Sequence, residues 1–264
     1  MPTRLFSVRA ALRLAAVTVW TAALVGALLT GWLLAFWSVQ LRAGWRRRIV
    51  RSWGRGNAWI LGMRRLVTGQ VPHGPSLLVA NHLSYLDVVL LAAELPAVFV
   101  AKREVRGWPG LGPVAWLVGT IFVDRDSRRD LIRTTAAMSK ALRQGDSVVL
   151  FAEGTSTRGE RVLPLKPALL EPAIQGGWPV RYATLGWRTP PDQPGADLAL
   201  CWWGEMNFLP HLIGVARLTE FTGTVAFGAE PVSAHDRQSL AAELHSAIAR
   251  HFIPVGDGVA PCHS

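Results

Sequence analysis

Apolar positions run unbroken through the first part of the chain and come in short bursts afterwards. From Leu14 to Leu41 there are 28 consecutive uncharged residues, nearly all apolar. A membrane-spanning helix needs about 20. The run is too long for the apolar core of a signal peptide, and Trp and Phe occupy the stretch where cleavage would fall. It is apolar on every face, unlike a soluble surface helix. The pattern therefore predicts membrane insertion. As one helix the run would be about 42 Å long, more than a hydrocarbon core of about 30 Å. It must tilt, enter the interface, or break near Gly26 or Gly31 and return to the same face.

After Pro75 the period changes. Short apolar runs at 76–80, 97–101, 120–123, 147–152, 180–187, 198–203 and 223–230 read as strands. Helical patterns fall at 84–95, 108–118, 128–143, 167–175, 207–218 and 236–252, with Pro109 and Pro113 limiting the second. Strands alternating with helices predict an α/β fold, a mostly parallel sheet flanked by helices. The organisation expected is a membrane segment with a basic flank over 1–65, an α/β domain over 66–253 and a flexible tail over 254–264.

Charge sharpens this picture. Residues 1–86 hold eleven arginines and no Lys, Asp or Glu, whereas the remaining 178 are nearly balanced. The cluster Arg42, Arg46, Arg47, Arg48, Arg51 and Arg55 is interleaved with Trp45, Trp53 and Trp59. Directly after a membrane segment, attraction to an anionic membrane surface explains it more simply than nucleic acid. The positive-inside tendency places the later chain on the cytoplasmic side of the inner membrane. Half the residues are apolar and 17% charged, which excludes intrinsic disorder. The two cysteines, Cys201 and Cys262, exclude a disulfide scaffold. They and the histidines at 211, 235, 245 and 251 form no compact ligand pattern, so no metal is expected.

Candidate chemistry gathers where strands end. The first runs into Asn81-His82, and Asp87 follows in an early helical turn. In open α/β sheets ligands collect beyond the carboxyl ends of strands. A carboxylate returning to the imidazole would fix its tautomer and leave the other nitrogen as a general base. Ser84 and Asp87 also fit the start of a helix with an acid in its first turn. The strand at 147–152 opens into Glu153-Gly154-Thr155-Ser156-Thr157-Arg158. Glu153 suits a substrate hydroxyl or an arginine, Gly154 permits close backbone approach, and Thr155, Ser156 and Arg158 offer donors to an anionic headgroup. Arg125 stands just beyond the strand at 120–123. Read singly, these are ordinary surface polar groups. Together they could line one mouth.

Over residues 70–230 these segments resemble the glycerolipid acyltransferases, the 1-acylglycerol-3-phosphate acyltransferases and their relatives. Asn81, His82, Ser84 and Asp87 match the first motif, in which the His is the general base and the Asp its partner. Lys102, Pro109, Gly112 and Gly119 leading to Phe122-Val-Asp-Arg125 resemble the second, whose Arg faces the acceptor. Phe151-Ala-Glu-Gly-Thr-Ser156 resembles the third, Phe-Pro-Glu-Gly-Thr-Arg, and Trp178-Pro-Val180 the fourth. Ser156 replaces an Arg that holds the acceptor phosphate in phosphatidate-forming members; Arg158 is its candidate substitute.

The resemblance implies acyl transfer from acyl-CoA or acyl carrier protein, as co-substrate and with no cofactor, to a membrane lipid acceptor. The first expectation is a 1-acylglycerol-3-phosphate-type acceptor giving phosphatidate. The stretches 162–166 and 203–211 resemble the lyso-ornithine lipid acyltransferase branch, which is the alternative. A non-catalytic, membrane-anchored lipid-binding protein is the more distant one. Backbone N–H groups near His82 are the expected donors to the oxyanion.

Overall fold

The computed structural model describes residues 7–124 and 127–256. The chain opens with two long helices, α1 (Val8–Leu34) and α2 (Val39–Leu61). Seven strands follow: β1 (Met63–Thr68), β2 (Leu77–Ala80), β3 (Ala97–Lys102), β4 (Ile121–Val123), β5 (Ser147–Phe151), β6 (Val180–Arg188) and β7 (Phe221–Phe227). Between and after them lie α3 (Leu86–Glu94), α4 (Leu111–Leu117), α5 (Arg128–Arg143), α6 (Glu171–Gly176), the single turn α7 (Ala196–Ala199), α8 (Phe208–Arg217) and α9 (Arg237–His251).

The sheet order is β1-β7-β6-β2-β5-β3-β4, parallel except where β6 meets β7. The expected mostly parallel sheet is present. Alternate residues of the central strands enter opposite cores, as pleating requires. Leu78, Ala80, Val149 and Phe151 face α3, with α1, α2 and α8 in the same layer. Leu77, Val79, Val148 and Leu150 face Met138 and Leu142 of α5 and Leu240, Leu244 and Ile248 of α9.

The apolar run does not break at Gly26 or Gly31. It continues to Leu34, turns over 35–37 and re-enters a helix capped by Ser38. The two helices form an antiparallel hairpin. Trp45 Nε1 donates to Ala27 O (2.9 Å) and Trp53 Nε1 to Thr21 Oγ1 (3.1 Å). Glycine makes this approach possible: a Cβ on Gly31 would collide with the Trp45 indole, and one on Gly56 with Trp20. Both ends of the hairpin return to the domain. Arg13 donates to Leu218 O and Thr219 O, and Gly62 O accepts from Phe221 N. The tip carries Leu33, Leu34, Phe36 and Trp37 with more than 60% of their surface exposed. Among the described residues α1 is the one helix long and apolar enough to cross a membrane.

The basic stretch expected as an interfacial flank is thus largely α2, docked on the domain. Gly54 lets it press against the backbone of Ala92 and Ala93. Arg46 and Arg47 converge on buried Asp146 (2.6 and 3.0 Å), and Arg55 donates to Ala93 O. The strand β1 carries no signal of its own, because five of its six residues are not buried; it runs across position 65. The segment expected as a strand over 198–203 is instead the end of α7 and an irregular stretch. Its apolar character reflects burial of Leu200 and Cys201 in the core, which a short apolar run announces without revealing its geometry.

Candidate active site

The turn after β2 carries the centre of the site. The helix expected from Ser84 begins at Leu86, because Asp87 captures the backbone ahead of it. Its Oδ2 accepts from Leu83 N (2.7 Å), Ser84 N (2.9 Å) and His82 Nδ1 (2.8 Å). Its Oδ1 accepts from Trp187 Nε1 (2.8 Å). The side chain is fully buried. Its position in the first turn of α3 also sets it at the positive end of the helix dipole. Since Asp87 acts as the acceptor, the donor set assigns the tautomer: the imidazole carries its proton on Nδ1, and Nε2 is left as an acceptor. The ring stacks on Phe151 (centroids 4.1 Å apart, planes at 16°) and is about one-fifth exposed.

The backbone of this turn is fully committed. His82 N donates to Glu153 Oε1 (2.7 Å), and His82 O accepts from Thr157 N (3.0 Å). Leu83 O accepts from Trp202 N, and Ser84 O from Asp87 N. The amides of residues 82–84, expected as oxyanion donors, are therefore all occupied.

Asn81 faces away from the mouth. Its amide both donates to and accepts from the backbone of Leu185 (3.0 and 2.7 Å), extending the β2–β6 ladder as another residue of strand would. Ser84 is buried. Lys102 ends β3, exposed, with β5 between it and β2. Arg125 lies outside the described residues.

The loop after β5 meets the turn directly, with Gly154 at φ 84° making the bend. Glu153 is buried and spends both oxygens on backbone, the second on Leu163 N (2.8 Å). Burial pushes its carboxyl up to about 7, against the pull of the Leu163 and His82 amides. It clamps the turn instead of reaching for a hydroxyl. Thr155 is exposed. Arg158 is a neighbour of the mouth but not a free cation. Its Nε and Nη2 both donate to Asp197 Oδ2 (3.0 and 2.8 Å), and its guanidinium lies over Trp203, 5.5 Å from the ring centroid. The Asp197 carboxylate raises the guanidinium pKa further.

Asp197, Trp202 and Trp203 belong to the wall over the site, as does His211, whose Nε2 bonds Cys201 O and whose Nδ1 meets the Tyr85 hydroxyl (3.0 Å). The motifs gave no sign of Asp197 or Trp187. Only the resemblance of 203–211 to one branch marked part of this wall. Behind α3, an apolar cavity of about 90 Å³ lies between the hairpin and α4, with Leu28, Trp53, Val88, Phe99 and Val118 in its wall.

Residues 64–183 match the family model described as Acyltransferase. A lyso-ornithine lipid O-acyltransferase of Brucella abortus is 35% identical over 227 residues, covering 80% of this chain and 84% of that protein. A 1-acyl-sn-glycerol-3-phosphate acyltransferase of Neisseria meningitidis is 32% identical over 212 residues, covering 77% and 80%. Among solved structures, the 1-acyl-sn-glycerophosphate (LPA) acyltransferase PlsC of Thermotoga maritima shares the fold, with a TM-score of 0.61 at 18% identity over 91% of this chain and 97% of that one.

Proposed function

The chain belongs to the acyltransferase family, and from that premise we propose that it moves a fatty acyl group from a thioester donor to the free hydroxyl of a lysolipid at a membrane surface. The observation that carries the reading is the imidazole of His82, held through Nδ1 by buried Asp87 with Nε2 left to act. His82 Nε2 takes the proton of the acceptor hydroxyl. The oxygen attacks the thioester carbonyl, the C–S bond breaks, and the departing thiolate takes the proton back from the imidazolium. Asp87 keeps the tautomer and favours the transient positive charge. The oxyanion draws on donors outside residues 82–84.

The donor is acyl-CoA or acyl carrier protein. Part of the acyl chain is placed at the apolar cavity behind α3, which Val88 lines. The hairpin tip enters the membrane, its apolar residues buried among lipid, and the domain stays on the cytoplasmic face, where those arginines of α2 not held by Asp146 or Ala93 meet anionic headgroups.

For the acceptor we place lyso-ornithine lipid ahead of 1-acylglycerol-3-phosphate. Ser156 supplies no guanidinium, and Arg158 is neutralised by Asp197, so neither position 156 nor position 158 offers a phosphate an uncommitted arginine. Relatives named for each of the two activities exist, so the test is direct. Thiol release from palmitoyl-CoA and from palmitoyl acyl carrier protein is measured with each acceptor, for the wild type and His82→Ala. Release that needs lyso-ornithine lipid and disappears in His82→Ala is expected. A preference for lysophosphatidate overturns the acceptor, and activity that survives in His82→Ala overturns the mechanism.

A further inference from the structure

Three of the four bonds to Asp87 come from residues within five positions of it. The fourth comes from Trp187 in β6, and among the described residues it is the only one on Oδ1. We infer that Trp187 is a positioning residue for the His82–Asp87 pair, acting through its indole N–H; this rests on the dyad reading given above.

The physical need is clear from the carboxylate. Its last torsion is broad, and three donors converging on Oδ2 fix one oxygen without fixing the plane. A donor on Oδ1 fixes the plane, and so the direction in which Oδ2 meets His82 Nδ1. An indole N–H only donates, which suits a carboxylate oxygen and nothing else here. The Trp187 side chain is itself held in a socket. Antiparallel pairing of β6 with β7 sets Trp187 opposite Gly223. A Cβ on Gly223 would stand 2.7 Å from Trp187 Cζ3 and 3.1 Å from Leu90 Cδ2. The Phe221 ring packs beside the indole, with centroids 5.9 Å apart. Trp187 is 2% exposed, so no water replaces its N–H if it is lost. A residue serving the core alone would need only the ring.

The test uses the full-length protein and the acceptor-dependent release assay. Trp187→Phe keeps the apolar ring and removes the N–H. Its kcat is expected to fall about tenfold with KM changed by less than about twofold, the loss of one bond to a charged group. In an Asp87→Asn background the same substitution is expected to cost nothing further, because residues acting through one another are not additive. Gly223→Ala keeps the N–H but displaces the indole, and is expected to reproduce the kcat loss. An unchanged kcat in folded Trp187→Phe overturns the inference, as does an equal loss in both backgrounds. Should Trp187→Phe not fold, Gly223→Ala decides by the same cycle with Asp87→Asn. His82→Ala separates the two readings: activity surviving there overturns the dyad itself, whereas loss there with normal Trp187→Phe overturns only the role of Trp187.

Discussion

The turn at 82–87 and the wall formed by Arg158, Asp197 and Trp203 border one mouth and are joined by the bond from Thr157 N to His82 O, yet they are built in opposite ways. In the turn every backbone group of residues 82–84 has a partner, and Asp87 is closed off from solvent. Losing one partner there strands a buried polar group, at a cost of about 1–3 kcal/mol. Arg158 is 46% exposed, and an exposed ion pair contributes little to stability. The difference teaches where variation is tolerated. The geometry of the His82–Asp87 pair is fixed by many simultaneous constraints, while the charge of Arg158 is held mainly by one pair that a single substitution alters.

The strongest way to break that contrast is Asp87→Asn. It places an amide N–H against donors and removes the charge that favours the imidazolium. We expect kcat to fall by on the order of 10³-fold or more, read by thiol release. A loss below tenfold would mean that the turn is no more constrained than the wall.

Glu153→Gln comes next and reads the clamp. One arm of the new amide must face a backbone N–H of His82 or Leu163, so stability should fall by about 1–3 kcal/mol. The wild type should also carry a pH signature. Burial raises the folded-state pKa from 4.5 to about 7, so between these values the folded protein holds a proton that the unfolded chain releases. This contribution therefore favours folding at the acid end. It diminishes as pH rises through that window, by on the order of 3 kcal/mol in all. Denaturant midpoints at pH 5 and pH 8 should differ less in Glu153→Gln; an unchanged difference would place the pH dependence elsewhere.

The smallest effect is expected in the wall. Asp197→Asn releases Arg158 from its ion pair and should leave thermal stability nearly unchanged. The ratio of kcat/KM for lysophosphatidate over lyso-ornithine lipid should rise a few-fold, in keeping with a partly exposed charge. No change in that ratio would remove Arg158 and Asp197 from acceptor recognition.

Much of this was written in local pattern. The apolar run over 14–41, the alternation of strands and helices, and α5 with its bounds at 128–143 follow from periodicity and capping, which act within a few residues. So does the approach of Asp87 to His82, since both belong to one turn. The strand-end loop containing Glu153 reads singly as a surface turn, and only its company with the other strand ends and the family resemblance marked it. Tertiary structure decided the rest. The hairpin turns at 35–37 and not at Gly31, whose open side is filled by the Trp45 indole across the helix pair. The strand β1 exists because β7 offers it an edge. Glu153 turns inward because the unpaired amides of His82 and Leu163 lie there. Arg158 is neutralised by a residue 39 positions away, and Trp187 reaches Asp87 only through the position of β6 beside β2. Each of these depends on which distant groups become neighbours once the sheet order is set. Hydrogen bonding and burial reward such meetings only after the chain has closed, so no local pattern encodes them.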